Sequence, residues 1–290
     1  MEDNGKGYFC YQEHVTPHIG TEGKLRFLPN RERRTRQPPN PQYSRSRLRE
    51  SRRVINRMAT LNDQKIIEVQ QFDDKLIVVN ALIGAFIGKT LTTNYQDPDL
   101  GQPGLVLSFE RFCHFAMALT AADYDAIILA WKAKVEFDLI RPTTVIKEEF
   151  GPNRMITTWA PGGVQTFPAS DFEALVRVMP HSEYVSGSAC LFTAQKDFIL
   201  GYLAAIGVSD PSDFPIVFPT VMAGESKVDP GLVPASDITL QYPGIEQMAR
   251  VGSDSRLDGG MHFEASVTGA EALCAGVADF AVVGALGLYA

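Results

Sequence analysis

The sequence predicts an all-α protein, a helical bundle whose core helices are joined by long irregular connections. Three observations carry this. Apolar residues recur at three- and four-residue steps in several long segments. Strict apolar–polar alternation, the mark of a half-buried strand, is almost absent. The segments 151–170 and 207–253 are rich in Pro and Gly, and connections of that length usually carry function. With 290 residues and 45% hydrophobic content the chain can bury a substantial core. A collagen-like chain, a disulfide scaffold and a fully disordered chain are therefore excluded. No internal repeat suggests a solenoid.

Residues 1–53 read as an extended, polar, Arg-rich arm. No hydrophobic period survives there, and Gln37-Pro38-Pro39-Asn40-Pro41 forbids a local helix. Residues 54–290 read as one helical-bundle domain. Helical periodicity begins near Thr60, where Thr60-Leu61-Asn62-Asp63 has the form of an N-cap followed by an early acid. Ile66, Val69, Phe72, Leu76, Val79 and Ile83 then mark one buried stripe. A second helical region covers 108–140, with Phe109, Phe112, Met117, Leu119, Ile127, Ile128, Trp131 and Val135 as its apolar surface. A short helix is expected at 171–179, a longer one at 188–206 and the last at 261–288. The apolar stretch 267–290 is interrupted by Glu271, Asp279 and several glycines, which fits a packed core helix better than a membrane span.

The formal net charge is −7. Residues 31–53 hold nine Arg and two Glu, a local +7, so the rest of the chain carries −14. A basic stretch of this kind suits either an anionic partner or a solvated linker. No nucleic-acid motif or aromatic stacking pattern accompanies it, so no nucleic-acid partner is expected. Cys10, Cys113, Cys190 and Cys274 are scattered without zinc-ligand spacing and read as free thiols. The N-terminus opens acidic and polar, unlike a secretory signal.

Three segments hold residues that suit an oxyanion. In Lys134-x₆-Arg141-Pro142, seven helical residues advance the side chain by about 700°, so both cations are expected on one face, with Pro142 ending the helix. In Ser186-Gly187-Ser188, a helix start would expose backbone N–H groups toward an anion. In Ser255-Arg256-x₅-His262, the Gly259-Gly260 pair can turn the chain so that Arg256 and His262 converge, with His262 in the first turn of the last helix. Each segment also has a plain structural reading: a charged solvated face with a Lys134–Asp138 pair, a Ser N-cap, and a loop histidine.

In this order the three segments resemble the signature of the vanadium-dependent haloperoxidases and type 2 phosphatidic acid phosphatases, one superfamily of helical bundles. The resemblance is to the C-terminal catalytic part. Val15-Thr16-Pro17-His18-Ile19-Gly20, Phe72-Asp73-Asp74-Lys75, Tyr124-Asp125-Ala126 and Arg141-Pro142-Thr143-Thr144 are similar to the haloperoxidase branch. Most of the chain is covered, residues 21–53 most weakly.

The resemblance implies an oxyanion pocket. Lys134, Arg141 and Arg256 would neutralise the oxygens of vanadate or phosphate, and Ser186 with the Gly187 N–H would add hydrogen bonds. At ~4 Å and an effective dielectric near 20, each cation contributes roughly 4 kcal/mol of gross attraction to a unit charge. His262 would be the metal ligand in a peroxidase or the nucleophile in a phosphatase. In the peroxidase, Lys134 would polarise bound peroxide and Ser188 would be a weak hydrogen-bond partner. Two positions depart from the pattern. Ser188 stands where the family has His, which removes an acid–base group. Ser266 stands where an Asp would orient His262.

Both losses damage a phosphatase, whereas a haloperoxidase draws Lewis acidity from the metal, and the 66 residues between Ser188 and Ser255 exceed the spacing of compact phosphatases. His181, seven residues before Ser188, is either a substitute proton donor or an ordinary loop residue. The expected function is thus oxidation of halide by hydrogen peroxide on His-bound vanadate, followed by halogenation of an organic acceptor. The alternatives are a phosphomonoesterase, with no cofactor and phosphate as substrate, and a catalytically impaired anion-binding relic. Haloperoxidases of this branch carry a further helical section ahead of the matched part. The chain is therefore expected to be a fragment, a shortened gene product, or a subunit of a homo-oligomer that completes its bundle by pairing.

Overall fold

The computed structural model describes residues 2–3, 8–9, 16–41, 47–92 and 109–287. Cys10, Val15, Ser108 and the end of the expected last helix beyond Gly287 lie outside the described residues. The fold is mostly helical, 57% helix against 7% strand, as the periodicity predicts.

The N-terminal part opens with two antiparallel two-residue strands, β1 (Glu2–Asp3) and β2 (Tyr8–Phe9). Three helices follow inside or across the stretch expected as an extended arm: α1 (Ile19–Glu22), α2 (Asn30–Thr35) and α3 (Arg47–Met58). Helix α3 crosses residue 53 and buries Val54, Ile55 and Met58, one face at helical spacing. Residues 37–41 stay non-helical, as their prolines require.

The single stripe expected from 60 to 83 divides into α4 (Asp63–Asp73) and α5 (Lys75–Thr92). Within the expected cap segment 60–63, Asn62 is the residue that caps α4, its side chain accepting from Lys65 N at 2.9 Å. Asp74 interrupts the helix with an extended ψ, and its Oδ1 accepts from the N–H groups of Leu76 and Ile77 at 3.1 and 3.3 Å. A second cap thus resets the helical phase. Leu76, placed in the stripe by periodicity, is 76% exposed, and α5 instead buries Val78, Leu82 and Phe86.

The next helix, α6 (Phe109–Phe137), buries Phe115, Leu119, Ala122, Ala126, Leu129 and Ala133. It ends four residues before Arg141. Asp138 takes φ +41°, Arg141 is extended, and Pro142 is the first residue of α7 (Pro142–Phe150). Proline suits that position because its missing N–H would have had no helical partner. Pro142 therefore starts a helix where it was expected to stop one, and Lys134 and Arg141 do not share a helix face.

The connection after α7 contains an unexpected hairpin, β3 (Met155–Ala160) and β4 (Gly163–Pro168), paired antiparallel with Trp159 opposite Val164. Gly162 and Gly163 supply the positive φ of its tight turn. The helix expected at 171–179 is not formed. Phe172 and Leu175 are buried as separate anchors, and Leu175 N donates to Gly259 O at 2.9 Å. That long-range bond replaces the local ones a helix would make.

At the centre lies α8 (Gly187–Ala205), close to the expected 188–206. It buries Cys190, Phe192, Ala194, Phe198, Ile199 and Tyr202, apolar on several faces as an enclosed helix must be. Strands β5 (Ile216–Val217) and β6 (Gln241–Tyr242) pair within the following connection. Helix α9 (Ile245–Asp258), not expected from periodicity, carries Ser255 and Arg256. The expected final helix divides into α10 (Glu264–Cys274) and α11 (Asp279–Gly287), with Gly276 at φ +69° between them. Helices α6, α9, α10 and α11 all pack on α8, and the site lies at its N-terminal end.

Candidate functional site

A cavity of about 330 Å³ opens at the start of α8. Of the residues expected to hold an oxyanion, Arg141, Gly187, Ser188, Arg256 and His262 line it. Asp73, Lys75, Trp131, Arg177 and His181 line it as well. A cleft of about 640 Å³ adjoins this cavity and shares Arg141, Arg177 and His181 with it. The 172–182 segment, read as partly helical, is the wall between the two.

Lys134 and Ser186 sit behind the cavity, both fully buried. Lys134 Nζ donates to the backbone oxygens of Ser182 at 2.6 Å and Glu183 at 3.4 Å, so no Lys134–Asp138 pair forms. Burial and the Arg141 charge hold the Lys134 pKa well below the ordinary lysine value. Ser186 Oγ accepts from Ala189 N at 3.4 Å, the N-cap that its position predicts. A Cβ at Gly187 would meet Trp131 at 3.3 Å and Lys134 Cε at 3.9 Å. Glycine at this position lets the helix start lie against both side chains.

Arg256 leaves the last turn of α9 and is 2% exposed. Its Nη1 pairs with Asp73 Oδ1 at 2.8 Å, Nη2 donates to Val69 O at 2.9 Å and Nε to Ser255 Oγ at 3.1 Å. Gly259 and Gly260 then turn the chain, Gly260 at φ +71°, and bring His262 back to the same cavity as the sequence predicts. His262 precedes α10 by two residues instead of lying in its first turn.

Arg141 connects the parts. Its Nη1 donates to Met261 O and to His262 Nε2, both at 3.0 Å, and its Nη2 lies 3.0 Å from His181 Nδ1. On the other side of the ring, His262 Nδ1 lies 3.0 Å from Glu183 Oε1 and 3.1 Å from Ser266 Oγ. Burial, followed by the charges of Arg141 and Lys134, lowers the His262 pKa well below the usual imidazole range. At neutral pH the ring is uncharged, the state in which imidazole can ligate a metal or attack phosphorus. Lys75 Nζ donates to the carbonyls of Phe72 and Asp73, and burial together with Arg256 lowers its pKa to about 7.

A family model, the VCPO second helical-bundle domain (VCPO being vanadium chloroperoxidase), matches residues 114–287, more than half of the chain. The chain belongs to this vanadium chloroperoxidase family. No curated protein sequence matches it. Among solved structures it is similar to a bacterial vanadium-dependent chloroperoxidase. The holo form matches with 25% identity and a TM-score of 0.79, over 97% of this chain and 57% of that one. The apo form gives 25% identity and a TM-score of 0.80, over 95% and 57%. A bacterial vanadium-dependent iodoperoxidase shares the fold at 17% identity and a TM-score of 0.57, over 95% and 58%. The chain thus spans less than three-fifths of the chloroperoxidase chains it matches.

Within this vanadium chloroperoxidase family member, sequence reasoning missed Glu183, Lys75 and Asp73. Lys75 and Asp73 lie in the segment that carries the resemblance, but only the fold places them in the cavity with Arg256. Glu183 had no such signal. It is a single acid between Ser182 and Tyr184, and nothing local distinguishes it from a solvated loop residue. Its complete burial is the informative fact.

Proposed function

We propose that residues 54–290 form the catalytic unit of a vanadium-dependent haloperoxidase, which uses hydrogen peroxide to oxidise halide and then halogenates an organic acceptor. The observation that carries this reading is convergence: an uncharged His262 shares one cavity with Arg141, Arg256 and the N-terminal end of α8.

The donor set fits vanadate. An imidazole nitrogen suits a transition metal, while guanidinium groups and helix N–H groups suit its negatively charged oxygens. His262 would hold the metal, with Arg141, Arg256 and the Gly187 N–H on the oxygens and Ser186 behind them. When bound, vanadate supplies the Lewis acidity that activates peroxide toward halide.

The protein residues supply the rest. His262 Nε2 accepts from Arg141 Nη1, so metal binding requires that N–H to exchange the imidazole for an oxygen of the anion. Lys134, beneath Gly187, donates its Nζ to the backbone oxygens of Ser182 and Glu183 and so braces the loop that offers Gly187 to the anion. Ser188 offers a hydroxyl inside the cavity but no acid–base group near neutrality. His181 lines the same cavity beside Trp131, with ring centroids 4.9 Å apart, and we assign it the proton-donor role that Ser188 lacks. The adjoining cleft gives an organic acceptor room next to the anion.

Halide-dependent bromination of a phenolic dye by the purified chain, with orthovanadate and peroxide, tests the proposal. Turnover should depend on all three and vanish in His262→Ala. No turnover from folded, vanadate-loaded protein would overturn it. The His262–Glu183 contact would also orient a nucleophilic histidine, so hydrolysis of a chromogenic phosphate ester, inhibited by vanadate, would select a phosphomonoesterase instead. Vanadate binding with neither activity would mark a non-catalytic anion-binding bundle.

A further inference from the structure

The sequence replaces the aspartate expected four residues after His262 with Ser266, which leaves that histidine without its usual orienting carboxylate. Another carboxylate stands at the same nitrogen. Glu183 is fully buried, and its Oε1 lies 3.0 Å from His262 Nδ1 while accepting from Phe263 N at 3.0 Å. Its backbone is held too: Glu183 N donates to Leu139 O at 2.8 Å, and Glu183 O accepts from Ser266 Oγ at 2.9 Å.

These contacts determine which ring nitrogen carries the proton. The Ser266 hydroxyl proton is directed to Glu183 O, so its oxygen turns a lone pair toward Nδ1 at 3.1 Å. Glu183 Oε1 offers Nδ1 a second acceptor. Across the ring, Arg141 Nη1 has only a hydrogen to offer Nε2. All three neighbours require Nδ1–H and a lone pair on Nε2, the nitrogen facing the cations.

We propose that Glu183 is the positioning residue of His262. It supplies from the loop before α8 the carboxylate that the family pattern places after the histidine, and it holds the ring in its metal-binding tautomer. The role of Ser266 follows. Its hydroxyl pins the Glu183 backbone and fills the space beside Nδ1, where a second carboxylate would repel the first. The loop that offers Gly187 and Ser188 to the anion is thereby tied directly to the histidine on the far side of the cavity. This inference rests on the haloperoxidase reading only in taking orthovanadate as the ligand.

Two measurements test it. The first needs no vanadate: nitrogen NMR of the imidazoles in the wild-type chain, with His262→Gln identifying the signal. A neutral Nδ1–H ring is expected, and an Nε2–H ring would overturn the proposal. The second is orthovanadate affinity by equilibrium dialysis. Glu183→Gln keeps an oxygen for Phe263 N–H but removes the charge, and it should weaken binding by about 10- to 100-fold. Adding Ser266→Asp to that variant returns a carboxylate to Nδ1 and should restore most of the loss, which a merely structural role for Glu183 would not produce. Wild-type affinity in folded Glu183→Gln would overturn the proposal, as would failure of Ser266→Asp to rescue a folded double variant. If Glu183→Gln does not fold, the wild-type nitrogen spectrum still decides. Absence of vanadate binding by the wild type would defeat the haloperoxidase reading and leave the Glu183–His262 assignment to that spectrum.

Discussion

Lys75 is the residue whose charge the cavity controls most visibly. Burial and the neighbouring Arg256 bring its pKa down to about 7, although Asp73, Asp74 and Asp123 pull in the opposite direction. A lysine is charged below its pKa, so its attraction for a bound oxyanion is present below pH 7 and fades as the pH rises through it. Vanadate and phosphate also titrate, so the informative quantity is the affinity of wild type divided by that of Lys75→Met at each pH. We expect this ratio to be about fivefold at pH 6, the equivalent of roughly 1 kcal/mol for a partly solvated pair, and to approach unity by pH 9. A ratio that does not change with pH would show that Lys75 carries no titrating charge at the site. At this scale the sequence was informative wherever a residue type restricts itself. Gly260 had to turn the chain and Ser186 had to cap a helix, and both do so. Glu183 was invisible because its meaning comes from a contact 79 residues away.

Helices as such were legible, whereas their breaks were not. Periodicity identifies an apolar face, but the continuous patterns at 60–83 and 108–140 are each cut at an aspartate. Asp74 caps a new helix with its own carboxylate, and Asp138 adopts a positive φ. Neither break uses the glycine or proline that marks most helix ends, and Pro142 pointed to the wrong side of one. The breaks shape the site: α4 ends at Asp73, which pairs with Arg256, and the turn at Asp138 moves Arg141 off α6 into contact with His262. The start of α4 at Asn62, inside the expected cap segment 60–63, can be tested directly. The Asn62 side chain satisfies Lys65 N–H at the start of α4. Asn62→Ala should cost about 1 kcal/mol in urea unfolding while leaving orthovanadate affinity unchanged, since Asn62 does not line the cavity. No loss of stability would mean that α4 is held by its packing on α9 and α5 without help from its cap.

Across the whole molecule, the N-terminal segment does more than its composition implies. Its sequence shows no apolar stripe before residue 54, and although Leu25, Phe27 and Leu28 pack on the core, much of its attachment is polar. The N–H groups of Arg26, Phe27 and Leu28 all converge on the carboxylate of Asp125 in α6, at 2.7, 2.9 and 2.9 Å. Arg36 donates to the carbonyls of Leu273 and Ala275 at the end of α10, and Lys132 Nζ donates to Arg33 O at 2.9 Å. Backbone amides and guanidinium groups leave no hydrophobic period, so a strap of this kind cannot be seen by pattern. Part of its basic charge also serves the fold, since Arg36 lies over the carbonyl end of α10 and Arg33 Nη1 donates to the carbonyls of Thr21 and Gly23. Asp125 is the single most consequential member, because its loss leaves three amides without their charged acceptor. Hydrogen bonds to a charged group contribute about 1.5–3 kcal/mol each, and water can re-solvate the two half-buried amides more readily than Leu28 N. Asp125→Ala should therefore lower stability by about 3 kcal/mol in urea unfolding and open residues 16–41 to limited proteolysis. None of residues 16–41 lines the cavity, so the folded variant should still bind orthovanadate as wild type does. If proteolysis of 16–41 instead abolished binding, the strap would be part of the site and not only of the scaffold that holds it.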